Sequence, residues 1–364
     1  MRATRGIAAL AVVSGLAVAL LAGCGQATGH RPSSPPGAAG GTHQVTDSTG
    51  ASVTVPTTIN RIADAWPAHN EVVQMLGAGK KIVATVLKPS SVPWLYTIEP
   101  SLSQAQTVFT DTTVTTERLT QTRPDVLFTD QSSQIAAKTT ELRIPTVQLA
   151  FQDYDGLKKV VSTTAEVLGP AAQAQAQRYN TYLDNTLATV RRATSTLPVD
   201  KRPSVLHVYS LNPLVVDGTG NIIDAWINAA GGRNAAQIAG RTRPVSIEQI
   251  QKWNPDVIIV ASSAFDANDT GAQTLDKLTG DPIWSRLAAV RNHHAYINPT
   301  GGWHWDRYGI EGALQLQWAA KTLHPELFPN LDLVAQTKAF YSQFLHYQLS
   351  DEQANRMLAA QNPA

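Results

Sequence analysis

Residues 116–128, TERLTQTRPDVLF, and residues 247–259, IEQIQKWNPDVII, share one plan. A glutamate, Glu117 or Glu248, stands seven positions before a Pro-Asp-Val at 124–126 or 255–257. Proline disfavours helical geometry in the residue before it, so a helix from each glutamate ends at Arg123 or Asn254. The apolar runs that follow, VLF and VIIV, suit strands covered on both faces, as in parallel sheets. A chain that writes helix, Pro-Asp stop and buried strand twice is constrained towards two α/β lobes of related design.

The rest of the chain keeps this rhythm. Strands are expected over 59–66, 81–86, 125–130, 146–151, 204–210, 256–262 and 295–300, with helices over 69–77, 115–122, 133–142, 222–230, 246–252 and 309–323. Residues 155–196 break it. Val160, Val161, Val167 and Leu168, then Tyr179, Leu183, Leu187 and Val190, recur at helical spacing, and Pro170 kinks or restarts the helix. This stretch reads as a long helix between the two halves. Residues 333–360 are amphipathic, with Phe340, Phe344 and Leu345 on one side, and pack back on the second lobe; Ser350-Asp351-Glu352 opens a final helix. The expected fold class is α/β, two Rossmann-like lobes joined by a long backbone helix. Its divisions are an N-terminal lobe at 45–154, a spanning helix at 155–197, a C-terminal lobe at 198–330 and a C-terminal helical segment at 331–364.

The first residues stand outside that fold. Arg2 and Arg5 precede an apolar run, Ile7 to Leu20, and Leu21-Ala22-Gly23-Cys24 closes it with small residues. The run is too short for a membrane span and ends at a cleavage-type site, so 1–24 reads as a secretion signal. The cysteine at its end resembles a bacterial lipobox, which implies lipidation of Cys24. It is the single cysteine of the chain, so an internal disulfide framework and a multi-cysteine metal site are excluded. Residues 25–41, GQATGHRPSSPPGAAGG, are small, polar and rich in Pro and Gly, and a flexible tether is expected over 25–44. The formal charge is +1 with no basic block, so no nucleic-acid partner is expected.

One family resemblance is carried by an ordered set of short motifs. Asp47, Gly50, Val53, Pro56, Arg61-Ile62 and Leu76-Gly77-Ala78-Gly79 mark the segment 47–86. WINAAGGRN (226–234), the two Glu…Pro-Asp-Val units and WAAKTLHPELFP (318–329) follow in order. From about residue 45 onward the chain resembles the ferric-siderophore and cobalamin substrate-binding lipoproteins of ABC importers, the helical-backbone class. The resemblance implies a binding protein rather than an enzyme, lipid-anchored through Cys24 on the extracytoplasmic face of the cell membrane. It needs no cofactor, and its partners are a small-molecule metal chelate and an ABC permease dimer. It implies that Glu117 and Glu248 dock into arginine pockets on the two permease subunits. A second reading of the glutamates stays open: behind N-caps at Thr115 and Ser246, each is an acidic residue favoured by the helix dipole. It also implies modest lobe movement. The chain has no Gly-x-Ser-x-Gly elbow and no Walker-type phosphate loop, and with Cys24 lipidated no cysteine nucleophile remains.

In open α/β sheets, ligands bind beyond the carboxyl ends of the strands. The segments there are WPAHN (66–70), Pro93 to Tyr96, Asp130 to Ser132, Tyr209-Ser210, Ser262 to Phe265, and GGWHWDRYG (301–309). Trp66, His69, Trp94 and Tyr96 from the first lobe, and Tyr209, Trp303, His304 and Arg307 from the second, are the expected ligand-binding residues. Aromatic faces suit a bulky chelate, and Arg307 suits an anionic one. Competing local roles remain: Asp306 as a helix cap, Arg307 paired with Glu311, and Trp305 or Tyr308 as core. No protein-bound metal is expected, because a bare ion needs three or four converging ligands; the alternative set is His69, His304, Asp306 and Glu311. His207, His293 and His294 read as structural or surface residues. A ferric siderophore leads as ligand, then cobalamin or haem. The alternatives are a bare transition metal, a metal–amino acid complex or an oxyanion, or a surface interaction protein without a transport role.

Overall fold

The computed structural model describes residues 41–110, 113–131, 134–262 and 271–364. The signal segment, Cys24, the tether up to residue 40, Ser132 and residues 263–265 lie outside the described residues. The ordered chain opens with an antiparallel hairpin, β1 (Thr42–Thr46) and β2 (Ser52–Pro56). Asp47 Oδ1 accepts from Thr49 N and Ala51 N at 2.9 and 3.1 Å, and Gly50 takes φ 85° to close the turn. The expected tether is therefore too long at its far end, since β1 begins inside it.

The first lobe is a parallel sheet in the order β5 (Gln106–Thr107), β4 (Ile82–Thr85), β3 (Ile62–Asp64), β6 (Val126–Asp130), β7 (Thr146–Leu149). Helices α1 (His69–Met75), α2 (Pro93–Ile98), α3 (Thr116–Thr122) and α4 (Ile135–Glu141) connect its strands. The helical linker is two elements, α5 (Tyr154–Leu168) and α6 (Pro170–Thr194). Gly169, at φ 100°, turns the chain where a side chain would be strained, and Pro170 starts the next helix. The two helices run antiparallel, tied by Lys158 Nζ to Asp184 Oδ1 at 2.6 Å and Asn180 Nδ2 to Ser162 Oγ at 3.0 Å. The single spanning helix expected over 155–197 is thus a hairpin, and α6 alone, about 37 Å long at 1.5 Å per residue, makes the connection.

The second lobe holds β8 (Ser204–Leu211), β9 (Leu214–Val216), β10 (Arg233–Asn234), β11 (Arg243–Pro244), β12 (Val257–Val260) and β13 (Ala295–Ile297). β8, β12 and β13 are parallel neighbours, while β9 and β11 extend the sheet antiparallel. Helices α7 (Ile222–Ala229), α8 (Ile247–Trp253), α9 (Gly271–Gly280), α10 (Ala288–Arg291) and α11 (Gly312–Leu323) pack around it, and α12 (Leu333–Phe344) and α13 (Asp351–Leu358) finish the chain.

Successive strand residues point to opposite faces, and each sheet uses both. In the first lobe Val126 and Phe128 face one way and Leu127 the other; in the second Val257 and Ile259 oppose Ile258 and Val260. One face of each sheet belongs to a core that runs from Val45 through α5 and α6 to Met357. The opposite faces close smaller cores of their own. A core shared by both lobes permits only small relative movement without exposing apolar surface.

The repeated motif now has a structural reason. α3 and α8 each end on a left-handed residue, Arg123 (φ 44°) and Asn254 (φ 40°). The following aspartate reaches sideways to the start of the neighbouring strand. Asp125 Oδ2 accepts from Asn60 N and Arg61 N at 2.7 and 2.9 Å, and Asp256 Oδ2 accepts from Ser204 N and Ser204 Oγ, both at 2.8 Å. The backbone answers in kind, with Asp125 N to Arg61 O at 2.8 Å and Asp256 N to Ser204 O at 2.9 Å. Each Pro-Asp locks β6 to β3, or β12 to β8, in register.

Candidate functional site

The carboxyl ends of the parallel strands face each other across a cleft. Trp66 follows β3, Asp130 ends β6 and Phe151 follows β7; from the second lobe come Tyr209 on β8, Ser262 after β12 and the loop 301–309 after β13. Tyr308 bridges the lobes, with its ring centroid 6.0 Å from Trp66 and 4.9 Å from Phe151. On Tyr308 lies the guanidinium of Arg241, 4.6 Å from the ring centroid. Arg241 is exposed and has no ion pair among the described residues. Burial raises the Tyr308 pKa; Arg241 and Arg307 act against the shift, while Asp130 and Asp217 add to it.

Behind this surface, His207 sits between two carboxylates. Nδ1 faces Asp217 Oδ2 and Nε2 faces Asp306 Oδ2, both at 2.9 Å. Burial alone would lower its pKa, but the two aspartates outweigh it and the pKa is raised, so both nitrogens donate. Asp306 also accepts from Arg307, at 3.1 Å from Nε and 2.9 Å from an Nη. These contacts outweigh the burial of Asp306 and hold its pKa far below the usual carboxylate range. Arg307 in turn lies 4.8 Å over the ring of Tyr209. The four charges balance within the protein, two cations against two anions.

The loop 301–309 is anchored from below by Glu311. Its carboxylate accepts from Gly302 N (3.2 Å), Trp303 N (2.8 Å), Trp305 Nε1 (3.0 Å) and Tyr341 Oη. A Cβ on Gly301 would overlap Glu311 and Tyr341, which is why this turn needs glycine. Opposite Glu311 stands Glu71 of α1, also fully buried, whose Oε2 accepts from Ile310 N at 3.2 Å and whose Oε1 accepts nothing. Burial first, and then the charge of Glu311, push the Glu71 pKa well up. Burial raises Glu311 too, but its donors pull back. Glu311 is the carboxylate of the pair and Glu71 carries the proton. The pair fastens the loop of the second lobe to a helix of the first.

The sequence-predicted residues divide accordingly. Trp66, at 7% exposure, packs against Phe151 and Tyr308 where the lobes meet. Tyr209 and Arg307 are stacked on one another, and Arg307 is engaged by Asp306 rather than Glu311. Trp303 is half-buried, and its indole N–H has no partner. His304 is half-buried, with Nδ1 2.7 Å from Ser262 Oγ. Burial lowers its pKa to about 4, with Asp306 opposing and Arg307 assisting, so the ring is neutral. Two expectations, His69 and Trp94, fail on geometry. His69 is buried, held by Asp64 Oδ2 and Thr164 Oγ1, both at 2.8 Å, and does not reach the cleft. Trp94 is buried and donates to Gln361 O at 2.8 Å, tying α2 to the C-terminus. Tyr96 is half-buried with its hydroxyl given to Leu87 O at 3.2 Å. His207, read as structural or surface, is buried beneath the site; Arg241 was missed, and its segment GRTRP carries no local signal beyond a positive charge. Among the described residues no group of three or more His, Cys, Asp or Glu side chains is arranged to hold a metal ion.

Glu117 and Glu248 are both exposed at the second position of their helices. Ser246 caps α8 through Gln249 N at 3.3 Å, and its hydroxyl with the Glu248 backbone N–H lowers the Glu248 pKa; Thr115 makes no such side-chain cap.

A family model described as periplasmic binding protein matches residues 62–300. The chain belongs to that family. It is 25% identical over 341 residues to the molybdate-binding protein MolA of Haemophilus influenzae, covering 86% of this chain and 93% of MolA. A periplasmic solute-binding protein from Veillonella parvula superposes with a TM-score of 0.75 at 30% identity, over 87% of this chain and 97% of that one. A Helicobacter pylori protein solved with Ni(II) bound has the same fold, with a TM-score of 0.70 at 17% identity, over 87% of this chain and 99% of that one.

Proposed function

We propose that this protein is an extracytoplasmic receptor that holds a small oxyanion of the molybdate class in the cleft and hands it to an ABC importer. The carrying observation is how the cleft rings are used. Trp66 is stacked on His69 at an interplanar angle of 7° and packed against Phe151 and Tyr308, and Tyr209 is covered by Arg307. Faces that pack on one another are not free to wall a bulky or planar chelate. The polar groups gathered around Tyr308 are the exposed Arg241 guanidinium, the half-buried Arg307 and neutral His304, and Tyr308 itself. A guanidinium presents fixed N–H donors that match tetrahedral oxyanions, and neutral donors beside it add hydrogen bonds without a competing charge. The molybdate-binding relative, matched over most of both chains, supports the same reading. It replaces the ferric siderophore as the first choice of ligand.

Delivery follows from family membership together with the two exposed acidic helix starts, which we assign to permease docking. The lipid anchor at Cys24 belongs to the same proposal. Isothermal titration of the purified protein with molybdate, and separately with a ferric hydroxamate chelate, tests the ligand. Micromolar or tighter molybdate binding (about −8 kcal/mol) without chelate binding supports the reading; chelate binding without molybdate binding overturns it.

A further inference from the structure

A second cavity lies away from the cleft, where the helical linker meets the second lobe. Its volume is about 520 Å³, and its walls come from the start of α5, the C-terminal half of α6, Arg202 at the entry to β8, and α7. None of the cleft residues described above lines it. Arg191 and Arg202 both do, and neither makes an ion pair among the described residues. Arg202 Nε is buried and has no hydrogen-bond partner. A guanidinium N–H out of water and without an acceptor is costly unless something fills the gap. The acidic residues at the rim are engaged elsewhere: Asp153 Oδ1 caps Gly156 N at 2.8 Å, and Asp155 pairs with Lys158 at 2.9 Å. Leu187, one turn before Arg191 on α6, and Ala225 of α7 add apolar surface to the lining.

We propose that this cavity is a second ligand site, taking an organic anion: an anionic head between Arg191 and Arg202, and an apolar body against Leu187 and Ala225. A bare inorganic ion would leave most of the volume unfilled. Because the walls come both from the segment that leaves the first lobe and from α7 of the second, an occupant touches both sides of the joint between lobes. Its binding then changes cleft affinity in proportion to any difference in cavity shape between open and closed forms.

The test uses the full chain and phenyl phosphate as probe, with inorganic phosphate as the control for the head group alone. Expected is saturable calorimetric binding of phenyl phosphate, tighter than inorganic phosphate, and weakened about 10-fold or more by Arg202→Gln, as for loss of one charge-assisted hydrogen bond. Arg191→Gln, at an exposed position where folding is not at risk, weakens it in the same direction, while Arg241→Gln leaves it unchanged. The proposal is overturned by no saturable binding up to about 20 mM, where any affinity is weaker than about −2 kcal/mol. It is equally overturned if Arg241→Gln abolishes binding while Arg191→Gln does not, because the probe then sits in the cleft.

Discussion

Replacing Glu71 by glutamine and Glu311 by glutamine should have unequal consequences, although the two side chains face each other and are equally buried. Glu311 accepts four hydrogen bonds, three from the loop 302–305 and one from Tyr341. An amide in its place turns a donor towards donors and removes the charge that attracts them. The expected cost of Glu311→Gln is about 3–5 kcal/mol, the range for breaking a buried charged network. Glu71 is the protonated member, so Glu71→Gln substitutes one neutral donor for another and should cost no more than about 1 kcal/mol. The pH dependence separates the cases further. An acid whose pKa is raised on folding stabilises the fold fully below its unfolded pKa, here 4.5, and that stabilisation is lost as pH rises towards the folded value. Wild-type stability should therefore fall with rising pH above pH 4.5 from this one group, by at most about 1.4 kcal/mol per pH unit, until the folded pKa is passed. Glu71→Gln removes that slope. Urea denaturation of both variants and the wild type at half-unit steps from pH 4.5 to 8 measures it. Equal destabilisation by the two substitutions, or a wild-type slope unchanged in Glu71→Gln, refutes the assignment of the proton.

Arg241→Gln should weaken molybdate binding about 10- to 100-fold, the loss of a charge-assisted contact of about 1.5–3 kcal/mol, without moving the thermal midpoint; titration calorimetry and a melting curve read the two effects. Glu117→Arg combined with Glu248→Arg should abolish transport in cells and leave ligand affinity intact, which uptake of labelled ligand and calorimetry distinguish. Asp125→Ala and Asp256→Ala should each cost about 1–3 kcal/mol in urea melts, because each leaves strand amides without their acceptor. His69→Phe should lower stability and leave ligand affinity within about two-fold, since His69 is sealed in the first lobe against Asp64 and Thr164.

The sequence carried the fold where hydrophobic patterning was strong. The strands around Val126 and Val257 and the helices before them follow from apolar runs and a proline stop, both local signals. The β1–β2 hairpin escaped because its strands are short, mostly polar in β1, and carry one fully buried residue each, Val45 and Val55. The start of α2 was written in Pro93 at its first position, but Trp94 drew the reading towards a ligand wall instead. Glu71 had no local signal, and the spacing of Glu311 pointed to Arg307 or to a metal set instead of to the buried anchor it is. A glutamate on a helix looks like a solvated residue, and only the glycines at 301 and 302 let the loop close over it. Strand ends pointed to the loops that meet around Tyr308, whereas the direction of each side chain is set by packing and not by local pattern. His69 and Trp94 turn inward, Arg241 arrives from a distant segment, and Arg307 is neutralised by Asp306, its own neighbour.

The most direct measurement of the ligand assignment is anomalous diffraction at the molybdenum edge from crystals grown with molybdate. The account predicts one strong peak in the cleft, with an oxygen within hydrogen-bonding distance of Arg241 and the metal within about one ligand diameter of Tyr308. A cleft without a peak, or density there for an organic chelate, contradicts it.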